Sequence, residues 1–329
     1  MSESAPHRAE PDGEAASSVA AIESRPRPFR TALFDSDLLH AFLRSKLTVL
    51  AAVVTLVIFV AAAFAPWIAP HDPSDLASLS LLDSLTPPAW VNGGSTTYLL
   101  GTDDQGRDML SAILYGTRIS LAVGLASVAL AAFIGITLGL IAGYVRGPID
   151  SFIMRVADVQ LTFPAILIAL LIDGTARALF PSLTREESAF YVLTLSIGLS
   201  FWVQYARTVR GSTLVEANKE YVLAAKLIGL PTFVILLRHI LPNIMGPVLV
   251  IATINLALAI ITEATLSFLG VGVPPTEPSL GTLIRIGQDF LFSGEWWITM
   301  FPGAMLAVLV LAVNLLGDWL RDALNPRLR

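Results

Sequence analysis

The stretch KEYVLAAKLIGLPTFVILLRHILPN, residues 219–243, decides how the rest of the chain is interpreted. Its apolar content approaches that of a membrane span. However, charged side chains interrupt it, and Pro231 and Pro242 would break a long helix. The stretch is therefore expected to lie outside the bilayer, between apolar runs that cross it.

Composition places the chain among membrane proteins. Of its 329 residues, 54% are hydrophobic and only 14% are charged, whereas about a quarter are charged in an average soluble domain. The absence of cysteine excludes disulfides and thiolate metal sites. The four histidines are scattered and form no ligand pattern, so no metal and no other cofactor is expected.

Apolar runs of the length of a membrane span recur along the chain. A helix needs about 20 such residues to cross the hydrocarbon core. Runs without charge occur at 47–70, 119–145, 188–206, 240–262 and 296–317, and a sixth, at about 149–172, carries charges in its first half. The sequence therefore predicts an all-α integral membrane protein with six transmembrane helices.

The distribution of basic residues predicts the orientation of these spans. With the N-terminus in the cytoplasm, the outside loops hold five of the 21 Lys and Arg residues and the inside segments hold the remaining 16. Because cytoplasmic loops are enriched in Lys and Arg, both termini are expected inside. The stretch 219–243 then lies on the cytoplasmic side, between spans four and five.

Two helical pieces are expected within that stretch. The first, from about residue 216 to 228, would end at Gly229, with Pro231 just beyond it. The second would run from 232 to 241 before Pro242 redirects the chain into span five. In the first piece Tyr221, Ala224, Ala225 and Ile228 have the i, i+3, i+4, i+7 spacing of one helix face. A helix lying along the membrane surface is the simplest interpretation of this pattern.

Four segments, in order, carry a resemblance to a known family. They are KEYVLAAKLIG with RHILPN, LGTDDQGRDMLSAILYGTRISLAVG (100–124), TEATLSFLGVGVPP (262–275) and NLLGDWLRDALNPRLR (314–329). Together they resemble the C-type permease subunit of ABC importers of the dipeptide/oligopeptide/nickel branch. The resemblance covers about residues 35–329 and implies the type I importer permease fold.

The resemblance gives the opening stretch a role. In that family the equivalent loop forms a coupling helix that contacts the ATPase. The implied coupling residues are Glu216, Glu220, Tyr221, Leu223, Ala224, Ala225, Lys226 and Gly229. One departure is that Leu223 stands where the family has Glu. Glu220, three residues earlier on nearly the same face, is the candidate to replace that charge.

The resemblance also implies the partners and the division of the chain. Residues 1–33 are expected as a disordered cytoplasmic tail, 34–118 as an N-terminal module, and 119–329 as a five-helix core with the coupling loop 207–242. Expected partners are a second homologous permease, two ATPase subunits, a periplasmic or lipid-anchored binding protein and membrane lipid, with no nucleic acid. The lysines are Lys46, Lys219 and Lys226, and none lies in a GxxxxGK[ST] phosphate loop. ATP and Mg²⁺ are therefore expected on partner subunits, and because hydrolase motifs are also missing, the chain itself is expected not to be an enzyme.

Polar residues within spans are candidates for the translocation pathway because they are costly in hydrocarbon. Asp158 either faces the bundle interior or pairs with Arg155 at i, i+3. Glu263 either contacts a peptide amine or caps a neighbouring helix. Gln204 and Asn255 are candidates too, although hydrogen bonds between helices explain them as well.

The external segment 72–118 is where the resemblance places the binding protein, with Asp103, Asp104 and Arg107 as docking residues. Its acidic cluster does not fit a calcium loop, and a cap on a helix starting near Asp108 is expected instead. Interfacial anchors are expected at Trp67, Trp90, Trp296 and Trp297.

The sequence thus predicts a multi-pass subunit of the bacterial inner membrane that imports di- or oligopeptides with energy from ATP. Nickel, glutathione or another small solute remains an alternative within that architecture. A channel or secondary transporter that needs no ATPase is the alternative from another class.

Overall fold

The structure, a computed structural model, describes residues 42–73, 75, 80–179 and 185–324. The tail predicted for 1–33 lies outside the described residues. Within the described part, all regular secondary structure is helical, and a single isolated bridge joins Thr102 to Asp108. The all-α prediction is confirmed.

Eleven α-helices follow one another along the described chain. They are α1 (Lys46–Ala63), α2 (Ala65–Ile68), α3 (Met109–Val145), α4 (Gly147–Gln160), α5 (Ala165–Leu179), α6 (Arg185–Glu216), α7 (Glu220–Leu227), α8 (Thr232–Val234), α9 (Leu241–Phe268), α10 (Leu280–Phe290) and α11 (Trp297–Leu324). A π-helical segment, Ile235–Ile240, joins α8 to α9, and short 3₁₀ turns occupy Leu81–Asp83 and Leu291–Ser293.

Five of these helical runs are long and apolar enough to cross a membrane: α1, α3, α6, the run Thr232–Phe268, and α11. In place of a straight sixth span, α4 and α5 form a pair bent by 92° at a short break, which is the geometry of a broken span or a re-entrant loop. Pro164 lies in that break, where its ring disfavours helical backbone in the preceding residue. Within the described residues there are thus five candidate spans, or six if the bent pair is counted as one.

The fifth span begins earlier than predicted. Pro242 was expected to redirect the chain, but the helix runs through it as one candidate span, Thr232–Phe268. Pro242 occupies the first turn of α9. In a regular α-helix its ring would clash with the carbonyl oxygen four residues earlier. The π-helical segment directly before it interrupts the regular i→i−4 hydrogen bonds and so relieves that clash. The expected redirection at Pro242 is wrong.

Helices α3 and α6 form the most extensive helix–helix interface, and glycines make it possible. A Cβ at Gly135 would lie 2.4 Å from the Trp202 carbonyl oxygen, and one at Gly139 would lie 2.7 Å from that of Ala206. This four-residue repeat brings the two backbones into direct contact.

Candidate functional site

Helix α7 is the short helix predicted within the opening stretch, with different bounds. Helix α6 continues to Glu216, and α7 starts only at Glu220 after a turn, so the single helix expected from about residue 216 is wrong. Its end is as predicted. Gly229 has φ +80°, its N–H bonds to the Lys226 carbonyl, and the Leu230 N–H bonds to the Ala225 carbonyl, which is a Schellman stop.

The exposed stripe of α7 is shifted by one position along the helix from the predicted face. The stripe consists of Glu220, Leu223, Ala224, Leu227 and Ile228, all exposed, at i, i+3, i+4, i+7 and i+8. Leu227 is 89% exposed and Ile228 78%. Ala225, assigned to the predicted face, is buried, as is Val222, because this side packs against the helical bundle. The end of the bundle therefore presents an uncovered apolar ridge with one acidic residue.

A polar junction anchors the start of α7 to two spans. The Tyr221 hydroxyl donates to a carboxylate oxygen of Glu216, at the end of α6, and accepts a hydrogen bond of 3.0 Å from the Asn243 amide, at the start of α9. Lys219 pairs with the other Glu216 oxygen at 2.7 Å. Burial, followed by the hydrogen bond to Glu216, raises the pKa of Tyr221. The hydroxyl therefore stays protonated and able to donate.

This junction changes the role expected for Glu216. Its side chain is buried and engaged by Tyr221 and Lys219, so the residue acts within the chain rather than offering its charge at the surface. A second link runs to α3, where the Lys226 ammonium lies 4.7 Å above the Tyr144 ring. Helix α7 is thus held against the ends of three spans.

Asp158 has a partner, but not the predicted one. Its carboxylate accepts a bond of 2.6 Å from Arg207 on α6, so the expected pair with Arg155 is wrong. The nearby Asp150 carboxylate receives two bonds from Arg210, of 2.5 and 2.6 Å. Both pairs tie α4 to α6 across many residues of sequence, which local spacing does not reveal.

The other three pathway candidates do not converge with Asp158. Glu263 is fully buried and accepts a 2.8 Å hydrogen bond from Ser267, one turn along the same helix. Asn255 is fully buried, whereas Gln204 is exposed on α6. None of the four lines either of the two best-formed cavities in the described part of the chain, and their place in a pathway stays a prediction.

The external segment before α3 is built around a buried ion pair. Asp103 accepts bonds from the Arg107 backbone and from its guanidinium, at 2.9 and 2.6 Å, and both side chains are at most 1% exposed. Arg107 also donates to the Pro275 carbonyl at 2.8 Å. These two residues shape the segment from inside, so any contribution to docking would be indirect.

Of the other features predicted for this region, the helix cap at Asp108 is confirmed and the anchor at Trp297 is wrong. Asp108 caps α3 by accepting from the Ser111 N–H, as predicted. Trp297 is not a lipid-facing anchor, because it is buried and its indole donates to the Thr102 carbonyl at 3.0 Å. Asp104 is partly exposed, and burial, with the nearby Asp103 charge, raises its pKa. Of the three docking candidates it is the one with a surface position.

Comparison with known families decides the identity of the chain. Residues 135–329 match the model of the binding-protein-dependent transport system inner membrane component. Residues 36–88 match the N-terminal transmembrane domain of oligopeptide transport permease C.

The chain belongs to this family of transport permeases.

Characterised relatives extend the match over most of the permease. The dipeptide transport system permease protein DppC of Escherichia coli K12 is 41% identical over 291 residues, covering 88% of this chain and 92% of that protein. The di/tripeptide transport system permease protein DppC of Pseudomonas aeruginosa UCBPP-PA14 is 40% identical, covering 83% and 86%. The chain is thus a permease subunit of an ABC importer with dipeptide permease relatives.

The fold is also that of a known importer. The permease superimposes on a chain of the inward-facing MetNI methionine ABC transporter with a TM-score of 0.53, covering 66% of this chain and 98% of that one. The sequence identity is 17%, so the likeness concerns the fold alone.

Three residues that contact the predicted site were missed from the sequence. Asn243, Tyr144 and Arg207 hold α7 or α4 in place, but each lies far along the chain from its partner. Of these three residues, only Asn243 carried a signal in the sequence, because it follows Pro242 in the motif RHILPN.

Proposed function

We propose that the permease carries di- or oligopeptides across the bacterial inner membrane in an ATP-driven importer. An external binding protein delivers the peptide, and this chain, with a second homologous permease, forms the route. Two ATPase subunits bind ATP and Mg²⁺ and supply the energy. The names of the relatives support the peptide substrate.

The observation that carries the coupling role is the apolar ridge of α7. Leu227 and Ile228 are strongly exposed on a helix whose opposite side is packed against the bundle. An apolar surface of this kind, next to the acidic Glu220, fits a protein cleft. We infer that the ATPase covers this ridge and that both termini face the cytoplasm.

The mode of attachment explains how a contact on α7 would reach the membrane. Tyr221 connects α7 with α6 and α9, and Lys226 connects it with α3. A displacement of α7 by the ATPase would therefore be transmitted to three spans at once. Packed side chains resist compression. The junction around Tyr221 would therefore keep its shape, and the spans attached to it would tilt.

Leu227→Asp tests this proposal, because the side chain is exposed and its replacement leaves the fold intact. We expect the variant to lose co-purification with the ATPase subunits, and peptide uptake into proteoliposomes to stop. Leu82→Asp is the matched control, since Leu82 is 97% exposed in the external segment. Normal ATPase association in Leu227→Asp would contradict a docking role for the ridge.

The same proteoliposomes test the transport reaction itself. Uptake of a labelled dipeptide should require the binding protein and ATP hydrolysis. Uptake that persists when hydrolysis is blocked would instead indicate a channel or an ion-coupled transporter. If the proteoliposomes take up nickel or glutathione but no dipeptide, the importer function stands and only the proposed peptide substrate is wrong.

Docking of the binding protein is proposed at the external segment around Asp104. Asp104→Lys reverses a partly exposed charge without touching the buried Asp103–Arg107 pair. We expect weaker binding of the binding protein at low salt, with the difference shrinking as salt screens the charges. Equal affinity at low salt would remove Asp104 from the docking surface.

A further inference from the structure

A cavity of about 280 Å³ lies at the end of the bundle away from α7. It is formed where the first part of α3 and the start of α6 meet the loop before α10. Its lining includes Tyr115, Arg118, Phe190, Val273 and Glu277. This volume is just below the size of about 300 Å³ at which ligand pockets in proteins start, so the cavity suits only a small ligand, of one or two amino-acid residues.

Arg118 is the distinctive residue of this cavity. Its side chain is exposed, and among the described residues it forms no hydrogen bond or ion pair. Glu277, by contrast, already has an interaction within the chain. The cavity thus offers a positive charge that the described part of the protein leaves unpaired.

The length of α3 explains how an arginine is tolerated there. Helix α3 has 37 residues, which at 1.5 Å per residue is about 56 Å, while the hydrocarbon core is about 30 Å thick. Arg118 lies nine residues after Met109, or about 14 Å along the helix. The guanidinium can therefore remain in the polar region at the end of the bundle.

The rest of the lining restricts the chemistry of a ligand. Ile119, Ala189, Phe190 and Val273 supply apolar walls, which suit a hydrophobic side chain. A carboxylate matches the two-pronged geometry of a guanidinium. The Glu277 carboxylate also lines the cavity, and its negative charge disfavours a dianion such as phosphate.

We propose that this cavity is a subsite for the free carboxyl end of a short peptide, with Arg118 binding the carboxylate and Phe190 contacting the last side chain. The proposal rests on the peptide-import function above and adds a recognition step on the permease itself, independent of the binding protein. Peptides without a free carboxyl end would then be handled poorly even after delivery.

The test measures binding to the assembled transporter in nanodiscs without its binding protein. Saturation-transfer NMR compares alanyl-phenylalanine with its C-terminal amide. We expect Arg118→Gln to weaken binding of the free dipeptide by about tenfold, and the amide to bind weakly and equally to wild type and variant. Arg321→Gln, which alters an exposed arginine in the last turn of α11, is the matched control and should bind the dipeptide like wild type.

Any of the following results would overturn the subsite: equal dipeptide affinity in wild type and Arg118→Gln, equal affinity of wild type for acid and amide, or displacement of the dipeptide by inorganic phosphate at the same concentration. Absence of dipeptide binding to wild type would overturn it too. If wild-type proteoliposomes still take up the dipeptide with ATP, only the subsite fails. If they take up no peptide, the proposed function fails with it.

Discussion

Tyr221→Phe separates the attachment of α7 from its docking surface. The substitution removes one hydroxyl and keeps the ring, the helix and the exposed stripe. The hydroxyl lost is the one that donates to Glu216 and accepts from Asn243. We expect ATP hydrolysis to continue while transport falls, because α7 would still bind the ATPase but transmit its movement to α6 and α9 less rigidly.

The magnitude follows from the burial of Glu216. Its side chain is only 8% exposed, and in the variant it keeps the Lys219 ammonium at 2.7 Å as its remaining partner. Losing a hydrogen bond to a charged group costs about 1.5–3 kcal/mol. That corresponds to roughly a 10- to 150-fold shift in the equilibrium between anchored and detached α7, by the rule that 1.4 kcal/mol is tenfold.

The assay is the number of peptides imported per ATP hydrolysed in proteoliposomes. It should fall several-fold in Tyr221→Phe, while co-purification of the ATPase subunits stays normal. Tyr191→Phe is the matched control, because Tyr191 is 68% exposed on α6. An unchanged ratio in Tyr221→Phe, with the protein normally folded, would refute the idea that this junction transmits the movement.

Four further variants test the close packing, the external segment and the acidic contact. Gly139→Ala should lower the melting temperature, since its Cβ would lie 2.7 Å from the Ala206 carbonyl oxygen and such overpacking costs about 1–3 kcal/mol. Gly303→Ala, with nothing within 4 Å, should raise it, and a rise in both would exclude a tight α3–α6 contact. Asp104→Asn should stabilise the protein at pH 7, because a raised folded-state pKa means that stability is lost as pH rises through it. The gain should vanish below about pH 4, and a gain that persists there would show another cause. Glu220→Ala should uncouple ATP hydrolysis from transport if Glu220 supplies the charge that Leu223 lacks, and normal coupling would assign the contact to apolar packing.

Much of the fold could be predicted from the sequence because its signals are local. Apolar runs of about 20 residues located the spans, and the Gly229 and Pro231 pair located the end of α7. The N-cap at Asp108 could be predicted from the sequence in the same way. Each of these features depends on residues within a few positions of one another, so neighbours elsewhere in the fold do not change them.

The sequence by itself therefore determined the membrane class, the approximate positions of the spans and the family, whereas the tertiary structure decided the exact helix bounds and which surfaces are available. Periodicity placed Ala225 on the same face as Ala224, but the bundle covers the one and leaves the other exposed. Local spacing paired Asp158 with Arg155, one turn away, whereas in the structure Asp158 pairs with Arg207, 49 residues along the chain. Burial and ion pairing depend on what packs against a helix, and that is set by contacts between segments distant in sequence.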